Sequence, residues 1–171
     1  SYVYDSASNL ASSTDPKGQL VNYSYDVLNR VLTEDYTGVG GTEISYGYDT
    51  CVEGKGRLCF ATSTGSVTKN TFNALGLISN DKKTIASTTH STSYAYNRLG
   101  GLTNVVYPDS SEVQYTYNTA GLLESMQQKE SGASLSDVVS NFNYGPHEKQ
   151  IFKVFANGVK TEYTYDAAKL Y

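Results

Sequence analysis

Two cysteines and two histidines are the first residues of this sequence to weigh for catalysis or metal binding. If the turn between Cys51 and Cys59 centres on Lys55, the two cysteines lie opposite each other on paired strands. Paired Cα atoms of antiparallel strands are ~4.5–5.5 Å apart, which is within disulfide range. A turn centred half a residue away removes the match, so a disulfide and two free thiols both stay open. Metal binding would need further ligands, and neither His90 nor His147 is near the cysteines in sequence.

Other motifs that would carry chemistry are incomplete. The sequence has no G-x-S-x-G nucleophile elbow that could use one of the histidines. The glycines within residues 38–42 and 54–56 lack the G-x-x-x-x-G-K-[ST] pattern of a phosphate loop. The acidic residues within 109–112 lack the ligand spacing of a calcium loop. We therefore expect no catalytic residue, no cofactor and no bound metal.

Composition narrows the class of protein. The 171 residues carry a formal net charge of −4, and 16 of them are Tyr. An acidic chain lacks the clustered Lys and Arg of a nucleic-acid surface. No apolar run approaches the ~18 residues of a membrane span. An aromatic content of 12% is too high for a disordered chain. These observations favour a folded β protein with no nucleic-acid partner and no membrane span.

A repeated motif contains most of the tyrosines. Tyr-x-Tyr followed by Asp or Asn occurs in six copies, and two degenerate copies fill the gaps between them. The eight copies start near residues 2, 23, 46, 70, 94, 115, 142 and 163, and 13 of the 16 tyrosines lie in them. The motif residues to which we assign a structural role are Tyr2, Tyr4, Asp5, Tyr23, Tyr25, Asp26, Tyr46, Tyr48, Asp49, Phe72, Asn73, Tyr94, Tyr96, Asn97, Tyr115, Tyr117, Asn118, Tyr144, Tyr163, Tyr165 and Asp166.

Each motif predicts one β-hairpin. Residues i and i+2 of a strand point to the same face, so both aromatic rings of a motif share one side of a sheet. The Asp or Asn that follows can bond to the next backbone amides as an Asx-turn. A Gly or Asn about four residues after the second aromatic, such as Asn29 or Gly76, tolerates the positive φ of a tight hairpin. Eight units predict about 15 or 16 antiparallel strands, with tyrosines of successive hairpins ~4.8 Å apart in aromatic ladders.

The pattern Y-x-Y-[DN]-x-x-G-x-[LI] resembles the YD repeat, also called the RHS repeat, over essentially the whole chain. Families with this repeat include bacterial Rhs polymorphic toxins, the C component of Tc toxin complexes, wall-associated proteins and animal teneurins. The resemblance implies a sheet that spirals into a hollow shell, which in the toxins encloses a C-terminal toxin. The toxins' self-cleaving core motif has no counterpart here, because the DPxG-like residues 15–18 lie in an early repeat turn. No protease residue is therefore carried over.

The predicted fold is all-β: stacked antiparallel β-hairpins in an open, curved, spiralling sheet, forming a single array over residues 1–171. About 16 strands at ~4.8 Å give a ribbon of ~77 Å, roughly half the circumference of a shell around a ~100-residue cargo. We therefore expect a fragment of a larger protein. Its sheet edges would invite edge-to-edge pairing, including oligomers.

The resemblance implies a non-catalytic function as part of the wall of a shell that encloses a toxin or other C-terminal cargo. The implied partners are the remainder of the shell and the cargo, in a secreted or bacterial cell-surface protein. The alternative is a carbohydrate-binding or adhesion module of a cell-surface protein, because aromatic faces can stack on sugar rings. In that case the partners are glycans.

Overall fold

The computed structural model describes residues 1–38 and 40–166. Its strands are β1 (Tyr2–Tyr4), β2 (Leu10–Thr14), β3 (Leu20–Tyr25), β4 (Val31–Tyr36), β5 (Ile44–Tyr48), β6 (Leu58–Ser63), β7 (Ser66–Phe72), β8 (Ile78–Ile85), β9 (Thr88–Tyr96), β10 (Leu102–Val106), β11 (Glu112–Tyr117), β12 (Leu123–Lys129), β13 (Ser136–Tyr144), β14 (Gln150–Phe155) and β15 (Lys160–Glu162). A short 3-10 helix, Pro146–Glu148, precedes β14. In the described part of the chain, no helix is long and apolar enough to cross a membrane.

The all-β fold predicted from the repeat is confirmed. The fifteen strands form one open antiparallel sheet in which sheet order follows chain order from β1 to β15. The chain divides into two compact units, Ser1–Ser91 and Thr92–Tyr171, with the boundary inside β9. The curvature and the spiral that the resemblance implies stay predictions.

The Asp or Asn of the motif bonds across the hairpin turn in the first six repeats, and Gly145 occupies that position in the seventh. In the second repeat the Asp26 amide donates to the Arg30 carbonyl and the Asn29 amide donates to the Asp26 carbonyl, both at 3.0 Å. The Asp26 carboxylate accepts the amides of Leu28 and Arg30 at 2.8 and 2.9 Å. Asn29 has φ of 59°, a left-handed conformation that Asn adopts more readily than most residues. The predicted Asx-turn is therefore present.

A β-bulge lies next to each turn of this kind. In the hairpin of β3 and β4 the register shifts between Ser24 and Tyr25, so that Tyr25 pairs with Val31. Val31 is the first residue of β4, and we call this second strand of a motif hairpin the return strand. The hairpin of β11 and β12 has the same shift between Thr116 and Tyr117. Such bulges increase the local twist and bend the strand. In these hairpins the second aromatic of the motif therefore lies where its strand departs from regular pairing.

The two faces of the sheet differ in chemistry. On β3 the side chains of Val21, Tyr23 and Tyr25 are buried or half-buried, whereas those of Asn22 and Ser24 are exposed. This alternation follows from the two-residue period of a strand. Few side chains are fully buried, and the buried apolar side chains among the described residues are Val21, Cys59, Phe72, Val105 and Val139.

The predicted spacing of the tyrosine ladders is wrong. Each motif strand inside the sheet lies between two return strands, as β3 does between β2 and β4. Tyr23 therefore lies opposite Glu34, and Tyr115 lies opposite Met126. Motif strands are two strand spacings apart, about 9.6 Å rather than ~4.8 Å. Stacking between the tyrosines of adjacent strands is therefore not what joins successive repeats.

Candidate functional site

The hydroxyl of the second motif tyrosine bonds to the preceding repeat. In the first unit the Tyr25 hydroxyl donates to the Leu10 carbonyl at 2.9 Å, and the Tyr48 hydroxyl donates to the Val31 carbonyl at 3.0 Å. Both acceptors are the first residues of the preceding return strands, β2 and β4. We call this bond the tyrosine clamp.

The second unit contains the same bond at three successive repeats. The hydroxyls of Tyr117, Tyr144 and Tyr165 donate to backbone carbonyls at 2.8, 2.8 and 2.7 Å. The acceptors are again the first residues of the preceding return strands, and they are Leu102, Leu123 and Gln150. The clamp is therefore a property of the repeat and not of one position.

The clamp lies where backbone pairing between hairpins ends. Pairing of β2 with β3 stops at Ser12 and Asn22, two residues beyond Leu10 along the chain. Pairing of β10 with β11 stops at Asn104, again two residues from Leu102. A buried or half-buried carbonyl without a donor is costly, and the tyrosine hydroxyl supplies one. Each clamp thus extends the junction between two repeats to the rim of the sheet.

Sequence reasoning assigned these tyrosines to stacking and missed their hydroxyls. The signal was available, because seven of the eight second-aromatic positions are Tyr and only Phe72 lacks a hydroxyl. Packing alone accepts Phe as readily as Tyr. A strong preference for Tyr at a half-buried position therefore indicates a hydrogen-bond partner.

The turns of successive repeats are also joined by polar side chains. The Arg30 guanidinium donates to the Asp26 carboxylate at 2.7 Å and to the Asp49 carboxylate at 2.6 Å, and it lies 4.3 Å from the Tyr48 ring centroid. The pKa of Asp26 is lowered by the backbone amide of Arg30 and by its side chain. The pKa of Asp49 is lowered by the Arg30 side chain and by the amide of Gly56. Both carboxylates are therefore charged partners of Arg30 at neutral pH.

Three motif tyrosines, Tyr25, Tyr46 and Tyr144, have raised pKa values. The Tyr46 hydroxyl donates to the Glu34 carboxylate at 2.8 Å, and this bond together with burial raises the pKa of Tyr46 to about 12. Burial also raises the pKa of Tyr25 and of Tyr144. A general base works best with a pKa near the operating pH. These phenols stay protonated at neutral pH, as a hydrogen-bond donor to a carbonyl requires.

The two cysteines are joined, but not across paired strands. Their Sγ atoms are 2.08 Å apart and their Cα atoms 5.4 Å apart. The Asp49 amide donates to the Arg57 carbonyl at 3.1 Å, which centres the loop on Glu53 and not on Lys55. Two tight turns fold the loop, so Cys51 comes back toward β6 and meets Cys59 there. The turn is therefore not centred on Lys55, and the two cysteines do not lie opposite each other on paired strands.

An open groove of about 480 Å³ lies in the second unit at the ends of β11 and β12. Tyr107, which lies outside the motifs, lines it together with Asp109, Glu112 and Lys129. The Glu112 carboxylate is buried and accepts from Lys129 Nζ at 2.6 Å. This ion pair and a bond from Gln114 lower the pKa of Glu112. The groove therefore presents one aromatic ring beside charged and hydroxyl-bearing side chains.

The remaining candidates lie apart from the clamps. His90 is on β9, and His147 is in the 3-10 helix with φ of 62°. Over residues 1–38 and 40–166, no three His, Cys, Asp or Glu side chains come together in a way that could hold a metal ion. In the glycine run at 38–42, Val39 lies outside the described residues.

Comparison with known proteins identifies the repeat. The RHS repeat family matches residues 4–43. The predicted resemblance to the RHS repeat is confirmed. The match includes the Tyr25 clamp to Leu10 together with the turn at Asp26. Beyond residue 43 the clamp recurs at Tyr48, Tyr117, Tyr144 and Tyr165.

Solved structures share the fold. The crystal structure of TcdB2-TccC3 matches with a TM-score of 0.83 and 14% identity, covering 96% of this chain and 10% of that chain. The Tc holotoxin pore of Photorhabdus luminescens matches with a TM-score of 0.79 and 13% identity, covering 96% and 9%. The chain thus spans about a tenth of the length of these proteins. No curated protein sequence matches it significantly.

Proposed function

We propose that this chain is a non-catalytic segment of the wall of a β-shell that encloses a C-terminal cargo. The observation that carries the proposal is the fold match to TcdB2-TccC3 over 96% of the chain at a TM-score of 0.83. The RHS repeat at residues 4–43 supports it independently. The segment's work is mechanical, since closely bonded strands separate the space on one side of the sheet from the space on the other.

The bonding between strands suits a wall. Backbone ladders join neighbouring strands within each unit, and the clamps continue those junctions to the rim where the ladders stop. The two faces also differ, as a wall with an inside and an outside would. Hydroxyls pair across strands on one face, as Thr116 does with Ser125 at 2.7 Å, while the motif tyrosines occupy the other.

The partners in this proposal are further repeats of the same shell and the cargo. The side chains of β1 support strand addition, since Tyr2, Val3 and Tyr4 are 71%, 56% and 62% exposed. The equivalent residues Tyr23 and Tyr25 are half-buried beside a preceding repeat. Another hairpin paired with β1 would cover the exposed rings, and one of its backbone carbonyls would accept a hydrogen bond from the Tyr4 hydroxyl. A secreted or bacterial cell-surface location accords with this role.

Electron cryomicroscopy of the complete native polypeptide that contains this sequence tests the proposal. We expect the fifteen strands to lie in a wall with further protein enclosed on one side. Strands exposed to solvent on both faces would contradict it.

Chemical labelling gives a second test on the same native polypeptide. Thr116→Cys places a thiol on the hydroxyl face of β11, and Tyr115→Cys places one on the tyrosine face. A wall predicts that a bulky maleimide labels one variant and not the other. Equal labelling of both variants would refute enclosure, and labelling of both after unfolding in denaturant controls for thiol reactivity.

We propose glycan binding as the second candidate function, on the observation that Tyr107 lines the groove beside Asp109 and Lys129. The Tyr107 ring is 43% exposed and is free of the motif geometry, so a sugar ring could stack on it. Titration with a panel of neutral and acidic oligosaccharides tests this candidate. Saturable binding that Tyr107→Ala removes and Tyr107→Phe retains would support it. Absence of binding, or binding that Tyr107→Ala leaves unchanged, would refute it.

A further inference from the structure

The junction between the third and fourth repeats lacks a tyrosine clamp. Phe72 holds the second-aromatic position of the fourth repeat, so no hydroxyl can reach Leu58, the first residue of β6. Pairing of β6 with β7 ends at Phe60 and Lys69, which leaves Leu58 two residues beyond the ladder, as at the other junctions. The loop between β5 and β6, residues 49–57, contains Cys51 and lies at this same junction.

The loop is fastened to the fourth repeat in place of the clamp. The Phe72 amide donates to the Val52 carbonyl at 3.1 Å. The Arg57 guanidinium lies 5.4 Å from the Phe72 ring centroid and donates to the Lys55 carbonyl at 3.0 Å. The Arg57 guanidinium also occupies the space beside Gly76, where a Cβ would clash with its terminal nitrogen. Both attachments depend on the folded shape of the loop.

The disulfide holds that shape. Gly54 is buried against it, and a Cβ on Gly54 would clash with the sulfur atoms of both Cys51 and Cys59. The Cys51 amide donates to the Cys59 sulfur at 3.0 Å. Cys59 is 3% exposed, whereas Cys51 is half-buried. Cys51 is therefore the more accessible of the two cysteines.

We propose that Cys51–Cys59 is a thiol-exchange site whose oxidised state secures the junction between the third and fourth repeats. A small thiolate attacks the Cys51 sulfur, the disulfide bond breaks, and its electron pair passes to the Cys59 sulfur. The Cys51 amide stabilises the departing thiolate, which then takes a proton from solvent. A second thiolate attacks the mixed disulfide, which releases the Cys51 thiol and the oxidised reagent. The balance is two electrons and two protons transferred from two thiols to one disulfide.

Reduction then removes the disulfide that supports the junction at which Phe72 replaces the clamp tyrosine. The loop loses the constraint that keeps Val52 and Arg57 against Phe72. Short loops held by few buried contacts open locally before a domain unfolds. A reducing environment would therefore loosen β7 at its Phe72 end and leave the clamped junctions intact.

Hydrogen exchange on the isolated chain, with and without reduced glutathione at millimolar concentration, tests this inference. We expect amide exchange around Phe72 to rise on the order of tenfold on reduction, with no comparable rise around Tyr117. We also expect mass spectrometry of trapped intermediates to find glutathione on Cys51. Glutathione on Cys59, an unreacted disulfide, or exchange that rises equally along the whole chain would each overturn the proposal.

Two variants distinguish the effect of the disulfide on this junction from its effect on the stability of the whole chain. The double variant Cys51→Ser with Cys59→Ser should show fast exchange around Phe72 and no response to glutathione. Phe72→Tyr supplies the missing hydroxyl opposite Leu58 and should diminish the rise seen on reduction. If Phe72→Tyr leaves that rise unchanged, the disulfide does not substitute for a clamp. These experiments report on one junction and not on the enclosure of a cargo, so their outcome is independent of whether the chain lines a shell.

Discussion

Replacing a clamp tyrosine by Phe should weaken the junction between two repeats without disturbing either hairpin. Tyr117→Phe keeps the ring, its half-buried surface and its strand propensity, and it removes only the hydroxyl that donates to the Leu102 carbonyl at 2.8 Å. The Leu102 carbonyl lies two residues beyond the last backbone pair of β10 and β11, at Asn104. No backbone amide of that ladder is in position to replace the lost donor.

The size of the effect follows from a single neutral hydrogen bond at a partly buried site. Such a bond contributes about 1 kcal/mol to folding, and an acceptor left unsatisfied adds to the loss. We therefore expect Tyr117→Phe to lower the free energy of unfolding by about 1–1.5 kcal/mol. Where exchange follows local opening, ~1 kcal/mol corresponds to roughly fivefold faster exchange of the amides at the start of β10.

Tyr115 provides a matched control on the same strand and face. Its ring is half-buried like that of Tyr117, and its hydroxyl makes no hydrogen bond within the described residues. Urea unfolding of Tyr115→Phe should give a free energy of unfolding within about 0.5 kcal/mol of the unmodified chain. Equal losses for Tyr115→Phe and Tyr117→Phe would refute the clamp, as would no loss for either.

Three further predictions concern the turns and the groove. Asn118→Ala removes the acceptor of two backbone amides and should lower the free energy of unfolding in urea by about 1 kcal/mol. Asn118→Asp retains the acceptor and should lose less. Equal losses for the two variants would contradict the Asx-turn. Gly121→Ala forces Ala to φ of +80° and should cost about 1–2 kcal/mol, while Gly40→Ala, at an open position without positive φ, should change little; similar losses would be evidence against backbone strain. Glu112 pairs with Lys129, and its folded pKa is below the ordinary value of 4.5. The contribution of Glu112 to the free energy of unfolding is therefore present above about pH 4.5 and is lost as the pH falls through the folded pKa. Glu112→Gln should flatten the dependence of the free energy of unfolding on pH in that acidic range. An unchanged dependence would refute the pairing.

The sequence was sufficient for the strands of the repeat motif and for the hairpin turns that follow them. The alternation of Tyr23 and Tyr25 predicted a strand with both rings on one face, and Asp26 followed by Asn29 predicted a tight hairpin. These features follow from the two-residue period of a strand and from local turn geometry. The number of strands followed from counting the repeats.

Contacts between repeats were less accessible from the sequence. The clamp from Tyr25 to Leu10 depends on where the ladder between two hairpins stops, and local patterns do not specify that point. The spacing of the rings was misjudged because a return strand lies between successive motif strands. The loop containing Cys51 was centred wrongly because two tight turns, which the sequence did not reveal, shift its middle to Glu53.

The central claim is that the second motif tyrosine joins its hairpin to the preceding one through its hydroxyl. Nuclear magnetic resonance tests this most directly, by resolving the Tyr117 hydroxyl proton and its through-space contacts. We predict a slowly exchanging hydroxyl proton with nuclear Overhauser contacts to Leu102 and Thr103 at the start of β10. A hydroxyl proton that exchanges freely with water, or that contacts only residues of its own hairpin, would contradict the claim.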